Sequence, residues 1–383
     1  MHDEAVLKAK SGFCVKFPNI PKEEVDAWDK KTFLSKTRLL LGGKITNAAL
    51  ILLGKEETRS LLLPYVAEIS WILKDNQGIV LDYEHFYQPL ILSVDKVLAK
   101  IRNLKYRYMK SSDSLFPEEV YQYDTFVIRE ALNNCIAHQD YSKCAKITLV
   151  EKPDSLVFAN EGSFIPRTID AVISTDTPPK YYRNRFLADA MLSFNMIDTV
   201  GSGIQRMFNK QRLRLFPLPS YDLSGDKVKV EIFGKIIDFN YARILAENTS
   251  LSLSDIILLD NVQKKKNIEQ DAVKRLRKLG YIEGRYPNIY ISAMIAKKTG
   301  KIGEYLNTKG LDNRYYEQLI CGYLEVRASS KKELELYLFP KLSNLLTDKQ
   351  KKKKIENLLH RMSLKGMIEC SSRSKNAIWD IKR

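Results

Sequence analysis

The sequence predicts an α+β protein, an α/β sandwich followed by two winged-helix units, from three observations. A helix, hairpin, loop, helix and strand follow one another through the middle of the chain. A basic helix closed by leucine and glycine, then two short strands, occurs twice after residue 240. Apolar content is 44% over 383 residues, enough for the cores of two or three domains.

Composition narrows the function classes. No run of eighteen apolar residues exists, and Met1-His2-Asp3-Glu4 lacks the basic and apolar blocks of a secretory signal, so a soluble, cytoplasmic chain with no membrane partner is expected. Five cysteines (Cys14, Cys135, Cys144, Cys321, Cys370) show no CxxC pairing and only four histidines accompany them. Neither a disulfide framework nor a zinc site is encoded, and reduced, mostly buried thiols are expected. The formal net charge of +16 and a pI near 9.4 favour a polyanionic partner, nucleic acid before an acidic membrane surface. Surface lysines also serve solubility, so the location of the charge must decide.

Residues 1 to about 30, with Pro18 and Pro21, read as an irregular entry segment. Thr46 is placed to cap a small-residue helix that ends at Gly54. Val66 to Leu73 reads as a strand, and Leu90 to Tyr108 as a basic amphipathic helix. Val120 to Ala137 reads as the next helix. Ala145–Glu151 and Ser155–Asn160, joined through Pro153-Asp154, form a predicted antiparallel hairpin, and Lys227–Phe233 alternates cleanly enough to extend its sheet.

The Val120–Ala137 helix carries Glu130 and Asn134, four residues apart and therefore on one face, where both can converge on one ligand. Asn160-Glu161-Gly162 forms a turn after a strand. Gly201-Ser202-Gly203 opens an apolar-periodic stretch whose backbone N–H groups can face phosphate. Three such islands in this order suggest a nucleotide site. The plainer alternatives are a solvated helix face and an ordinary helix start.

In the C-terminal part, Asp271–Leu279 is a basic helix stopped by Gly280, and Tyr281–Ile291 reads as strand, wing, strand. Lys354–Leu364, Gly366 and Met367–Trp379 repeat the scheme. Lys274, Arg275, Arg277 and Lys278 fall on the first helix and Arg285 in its wing, while Arg361, Lys365, Arg373 and Lys375 fall in the second unit, where they could meet phosphates and base edges. Winged helices also grip proteins, and charge runs are often solvated faces.

With these motifs in hand, the chain resembles the bacterial RecG-like or Schlafen AlbA-type regulators. Their ATP-binding domain carries an E-A-[LI]-x-N-A-I-x-H-R-D-Y-S helix, read here from Glu130 to Ser142 with Cys135 for Ala and Gln139 for Arg. Asn160 to Pro166 resembles their N-P-G-G-L-P block, Arg183 to Ala188 their R-N-P-x-L-A block, and Gly201 to Met207 their G-[ST]-G-I-x-R-[MI] turn. That domain is similar in turn to the GHKL ATPases. The resemblance implies a GHKL-like α/β sandwich binding ATP and Mg²⁺: Glu130 as the catalytic group that orients or deprotonates water, Asn134 as the magnesium ligand, His138 near phosphate, Asn160 and Gly162 at the base, and Gly201, Ser202 and Gly203 at the phosphate turn. Asn160 stands where GHKL enzymes place an aspartate and is a weaker acceptor. No G-x-x-x-x-G-K-[ST] loop is present, so a P-loop motor is not supported.

The expected division is therefore 1–110 as an N-terminal α+β segment, a remnant of or linker from an AlbA-type domain; 111–240 as the GHKL-like domain; 241–295 as a winged helix; and 296–383 as a second winged-helix-like domain. The expected function is an ATP-binding regulator, a slow ATPase at most and a homodimer, whose nucleotide occupancy adjusts contacts to double-stranded DNA. The competing readings are a DNA-binding regulator whose degenerate pocket serves only as scaffold, and a winged-helix protein-interaction module.

Overall fold

The computed structural model describes residues 1–108, 118–173, 182–197, 203–236, 242, 245, 251–298, 305, 309, 312–371 and 377–382. The chain forms two compact units, Met1–Ser254 and Asp255–Arg383.

The first unit is built on a six-stranded mixed sheet. Its strands are β3 (Ile69–Lys74), β4 (Val80–Phe86), β7 (Ile147–Glu151), β8 (Ser155–Glu161), β9 (Ser220–Asp222) and β10 (Lys227–Phe233), in the order β4-β3-β7-β8-β10-β9. Only β3 and β7 run parallel, Ile69 facing Ile147, and the crossover between them contains α5 (Leu90–Lys100) and α6 (Thr125–His138). Buried Glu151 on β7 ties this pair laterally, accepting from Trp71 Nε1 at 3.0 Å and from Arg102 Nε at 2.8 Å. The hairpin turning through Pro153-Asp154 and the last long strand fall where the sequence places them. Strands from before residue 110 and after residue 145 thus share one sheet.

Three sequence expectations are corrected. The first thirty residues are not irregular: α1 (Asp3–Lys16) and α2 (Lys22–Ala27) form there, with Ala5, Val6, Ala9 and Phe13 of α1 buried in the core. The basic helix from Leu90 stops at Lys100, because Asn103 adopts a positive φ of 34° and pairs through its side chain with the Tyr123 backbone; Lys105–Tyr108 is strand β5. It pairs with β6 (Glu118–Tyr121), which takes the residues expected to begin α6. Helix α6 starts instead at Thr125, where the Asp124 carboxylate accepts from the Phe126 and Val127 N–H groups. After α3 (Lys30–Lys36) and the paired short strands β1 (Leu40–Leu41) and β2 (Lys44–Ile45), the Thr46 cap and the Gly54 end of helix α4 (Asn47–Leu53) are as predicted.

After the sheet's central hairpin come α7 (Ile169–Ile173), α8 (Arg185–Ser193) and α9 (Gly203–Leu213). Helix α6 packs on β8, and α5, α8 and α9 pack against α6. The apolar core is continuous through α1, α4, α5, α6, α8 and the sheet.

The second unit contains α10 (Leu253–Gln263, whose first turn holds the break between units), α11 (Gln270–Lys278) and the hairpin β11 (Ile282–Arg285) with β12 (Asn288–Ile291). After α12 (Ala293–Lys298) come α13 (Asn313–Val326), β13 (Ser329–Ser330), α14 (Lys331–Leu338), α15 (Asp348–Leu364), β14 (Ile368–Cys370) and β15 (Ile378–Ile381). The last three strands form a sheet in the order β13-β15-β14. The sequence repeat is also a structural one. Gly280 (φ 75°) and Gly366 (φ 71°) stop α11 and α15 in the left-handed conformation, and in each case the next residue's N–H returns to a carbonyl in the last turn, Tyr281 to Leu276 and Met367 to Met362.

All five cysteines are free, but only Cys135 is buried; Cys144 is exposed and the other three are intermediate, fewer buried thiols than expected. Among the described residues no helix is long and apolar enough to cross a membrane. Because one carboxylate caps two N–H groups of α6, Asp124→Ala should lower the unfolding free energy of the first unit by about 1 kcal/mol, read by urea denaturation.

Candidate functional site

Helix α6 places Glu130, Asn134 and His138 at successive intervals of four along one side, spanning roughly 12 Å at 1.5 Å per residue, about the length of an extended nucleotide. Glu130 is buried and Asn134 donates to its Oε1 from Nδ2 at 3.1 Å. That bond leaves the Asn134 side-chain oxygen, a hard ligand, as the atom available beyond the pair.

The start of α9 comes directly onto this carboxylate. A Cβ added at Gly203 would lie 1.7 Å from Glu130 Oε1, so any other residue there would require the carboxylate to move. The island around Gly203 and the α6 island therefore meet. Gly201 and Ser202 lie outside the described residues. Beside this junction Tyr221 stacks on Phe208 of α9, centroids 6.2 Å apart. Burial first, and then the Glu130 charge, raises the Tyr221 hydroxyl above its ordinary value.

At the other end of α6 the remaining motifs are knitted together by backbone bonds. Gln139, fully buried, accepts from Glu161 N at 2.9 Å and donates to Ala145 O at 2.7 Å, while Asp140 N donates to Glu161 O at 2.9 Å. Asn184 Nδ2 reaches the Ala137 and Gln139 carbonyls at 3.1 and 2.8 Å, and Tyr141 donates to Ile136 O, so side chains from later in the chain satisfy the end of a helix that lacks a terminal glycine. These are structural duties that the sequence motif contains but does not announce. The signal for Asn184 was its place beside Arg183 in the R-N block.

Asn160 is buried, and its Nδ2 donates to Glu161 O at 3.0 Å and His138 O at 3.4 Å. With its donor committed to the main chain, the side-chain oxygen is the atom left to serve as an acceptor. Gly162 adopts φ 102°, and the Arg183 guanidinium lies across it, its Cζ 2.8 Å from where a Cβ would stand. Arg183 also donates to Ser163 O at 3.0 Å and stands 3.5 Å from Asp140. His138 stacks on Tyr182, centroids 5.8 Å apart and planes at 17°. Burial and then the Arg183 charge push its pKa down to about 4, so the imidazole is neutral at pH 7. Arg185 is exposed and stands 4.0 Å from Asp189 on its own helix.

The cations of the second unit divide into two groups. Arg275 pairs with Asp255 at 2.9 Å, Arg277 donates to Gly284 O at 2.6 Å, and Arg361 and Lys365 both hold buried Glu317, at 2.6 and 3.1 Å. Lys274, Lys278 and Arg285 are exposed, Lys274 within 2.9 Å of Asp271 on its own helix. Arg373 and Lys375 lie outside the described residues.

Residues 145–232 match the family model described as the C-terminal region of putative ATP-dependent DNA helicase recG. This stretch carries a RecG-like, ATPase-like domain. It is less than a quarter of the chain and takes in β7 to β10 with Asn160, Gly162 and Gly203; Glu130 and Asn134 precede it. Among curated proteins no relative matches. The fold is similar to the crystal structure of the DIP2311 protein from Corynebacterium diphtheriae, with a TM-score of 0.54 at 16% identity, over 78% of this chain and 63% of that one. The chain thus spans less than two thirds of that protein, and at this identity the likeness is one of fold alone.

Two outcomes are expected. Gly203→Ala must displace Glu130 or α9 and should cost about 1–3 kcal/mol of stability, measured by denaturant unfolding. For His138, the unfolded chain takes up a proton below its ordinary value of 6.5 whereas the folded chain resists until about 4. Stability present above pH 6.5 should therefore decline as pH falls through that window and level off below it, and His138→Gln should remove that component from the stability profile.

Proposed function

We propose that the cleft along α6 binds a purine nucleotide with Mg²⁺ and that the protein is a DNA-binding regulator whose nucleotide state adjusts its C-terminal contacts. The observation carrying this reading is the meeting of Gly203 with the Glu130–Asn134 pair at one end of α6 while Asn160 and Gly162 abut its other end. The residues fit the group. Asn134 would hold the metal, with phosphate and water oxygens completing its shell; among the described residues there is no cluster of three or more acidic, histidine or cysteine side chains to hold a metal without them. Asn160 would accept from the base amine, and Gly162 would let the ring approach the backbone. Bound Mg²⁺ supplies neutralisation of phosphate charge. Glu130 would hold a water by its carboxylate and take its proton, and any turnover would be slow.

DNA contact is assigned to Lys274, Lys278 and Arg285, supported by their exposure and by the helix, helix, hairpin order of α10 to β12, the succession of a winged helix. The order α13, β13, α14, α15, β14, β15 with its three-stranded sheet supports a second such unit, in which Arg361 and Lys365 serve Glu317 rather than phosphate. The assembly is read as a homodimer.

One observation favours the competing scaffold reading: Arg183 occupies the space over Gly162 that a base would enter. Titrating fluorescent ATP with Mg²⁺ separates the two. The wild type should bind and Asn134→Ala should lose at least tenfold, roughly 1.4 kcal/mol, whereas equal weak binding by both would leave only a scaffold. Asn160→Asp should bind more tightly than wild type.

Duplex DNA affinity should fall steeply with salt because counterions are released, and Lys278→Ala with Arg285→Ala should lower the log–log slope by about 2 while leaving stability unchanged. Arg361→Ala should instead destabilise the second unit. A flat salt response would remove the DNA assignment.

A further inference from the structure

The turn Phe339–Lys341, between α14 and α15, gathers three lysines around aromatic rings. Lys341 Nζ stands 4.0 Å from the centroid of Tyr337 and donates to the Tyr337 carbonyl at 3.2 Å. Lys351, from the start of α15, donates to Phe339 O at 3.4 Å, its Nζ 5.7 Å from the centroid of that ring. Three residues on, and so on the same side of the helix, Lys354 lies over Tyr316 of α13 at 4.6 Å. The Tyr316 hydroxyl closes the group by donating to Lys341 O at 3.0 Å.

Among the described residues no carboxylate pairs with Lys341, Lys351 or Lys354. The acids on the same two helices are engaged elsewhere: Glu317 holds Arg361 and Lys365, and Glu356 holds Lys331 and Lys353. A ring face weakens a lysine's charge without cancelling it. Lys354 is also half-buried, and burial holds its ammonium below its ordinary value. A partly desolvated cation without a counter-charge is stabilised by an anion from outside the chain.

The rings supply a second chemistry. Tyr337 is taken up by Tyr323, centroids 4.6 Å apart, and by Lys341, and Phe339 is half-buried. Tyr315, edge-on to Tyr316 at 6.3 Å, is 43% exposed and is the most open ring of the group. A duplex hides its base faces in the stack, whereas a single strand offers bases to a ring and phosphates to cations. An anionic lipid surface would offer charge alone and leave Tyr315 unused.

We propose that this lysine and tyrosine cluster binds a single strand of nucleic acid, its phosphates on Lys341, Lys351 and Lys354 and a base stacked on Tyr315. The site goes beyond the duplex contact assigned to Lys274, Lys278 and Arg285 and does not rest on it.

The probe is a labelled oligothymidylate of about twelve nucleotides, titrated into the full chain by fluorescence anisotropy. A duplex of equal length and phosphatidylserine-containing vesicles are titrated beside it. Lys341→Gln with Lys354→Met removes two charges while an apolar stem stays over Tyr316. Tyr315→Ser removes the exposed ring. Lys349→Gln, two residues before Lys351 and so on the far side of α15, removes a charge outside the cluster. The expected result is strand binding that weakens roughly tenfold in the double variant, with the log–log salt slope lowered by about 1.4. Tyr315→Ser should lose about fivefold and Lys349→Gln less than about twofold. No strand binding, undiminished affinity in either cluster variant, an equal loss in Lys349→Gln, or binding to the vesicles alone overturns the site. Should the double variant unfold, Tyr315→Ser decides. Duplex bound with the strand unbound overturns this site and leaves the duplex assignment; strand bound with the duplex unbound does the reverse.

Discussion

The approach of Gly203 to the Glu130 carboxylate is the contact on which the remaining arrangement depends. A side chain at residue 203 would overlap the carboxylate as it stands, so the present pairing of α9 with Glu130 uses the absence of a Cβ. The approach seats a negative group beside the first residue of an eleven-residue helix, where the helix dipole favours it. The same carboxylate accepts from Asn134, and its charge acts on Tyr221 from the edge strand. One acid thereby acts on α6, α9 and the edge strand β9.

The opposite end of α6 is held differently. No glycine stops the helix; its last carbonyls are satisfied by Asn184 and Tyr141, and Gln139 ties the following turn to β8. Side-chain bonds to main-chain groups therefore fix the spacing between Asn160 and the helix, while close approach sets the spacing between Glu130 and α9. His138, the last residue of α6, is neutral at pH 7 and adds no charge to that end.

Much of this was legible in the residues. The alternation of Lys227–Phe233, the Pro153-Asp154 turn and the Thr46 cap are local signals, and local physics decides them. The repeated leucine–glycine helix stop was legible for the same reason, since Gly280 and Gly366 both supply the left-handed residue. What failed was whatever a distant contact decides. Residues 1 to 30 looked irregular because α1 buries small residues such as Ala5 and Ala9 rather than a strong apolar stripe. The Leu90 helix reads too long in the sequence because its pattern continues past Lys100, and the interruption comes from Asn103 bonding to Tyr123, twenty residues away. Likewise, Arg361 and Lys365 read as free cations until α13 brings Glu317 between them. Charge sequence alone does not reveal which cations are already engaged.

The most direct test of the nucleotide cleft is a crystal structure of the full chain with Mg²⁺ and a non-hydrolysable ATP analogue. The account predicts the base against Asn160 and Gly162, with Arg183 moved from over the glycine, the metal on the Asn134 side-chain oxygen, and the terminal phosphate beside Glu130 and Gly203. Arg183 still lying across Gly162, with the analogue absent or bound on another surface, would contradict it.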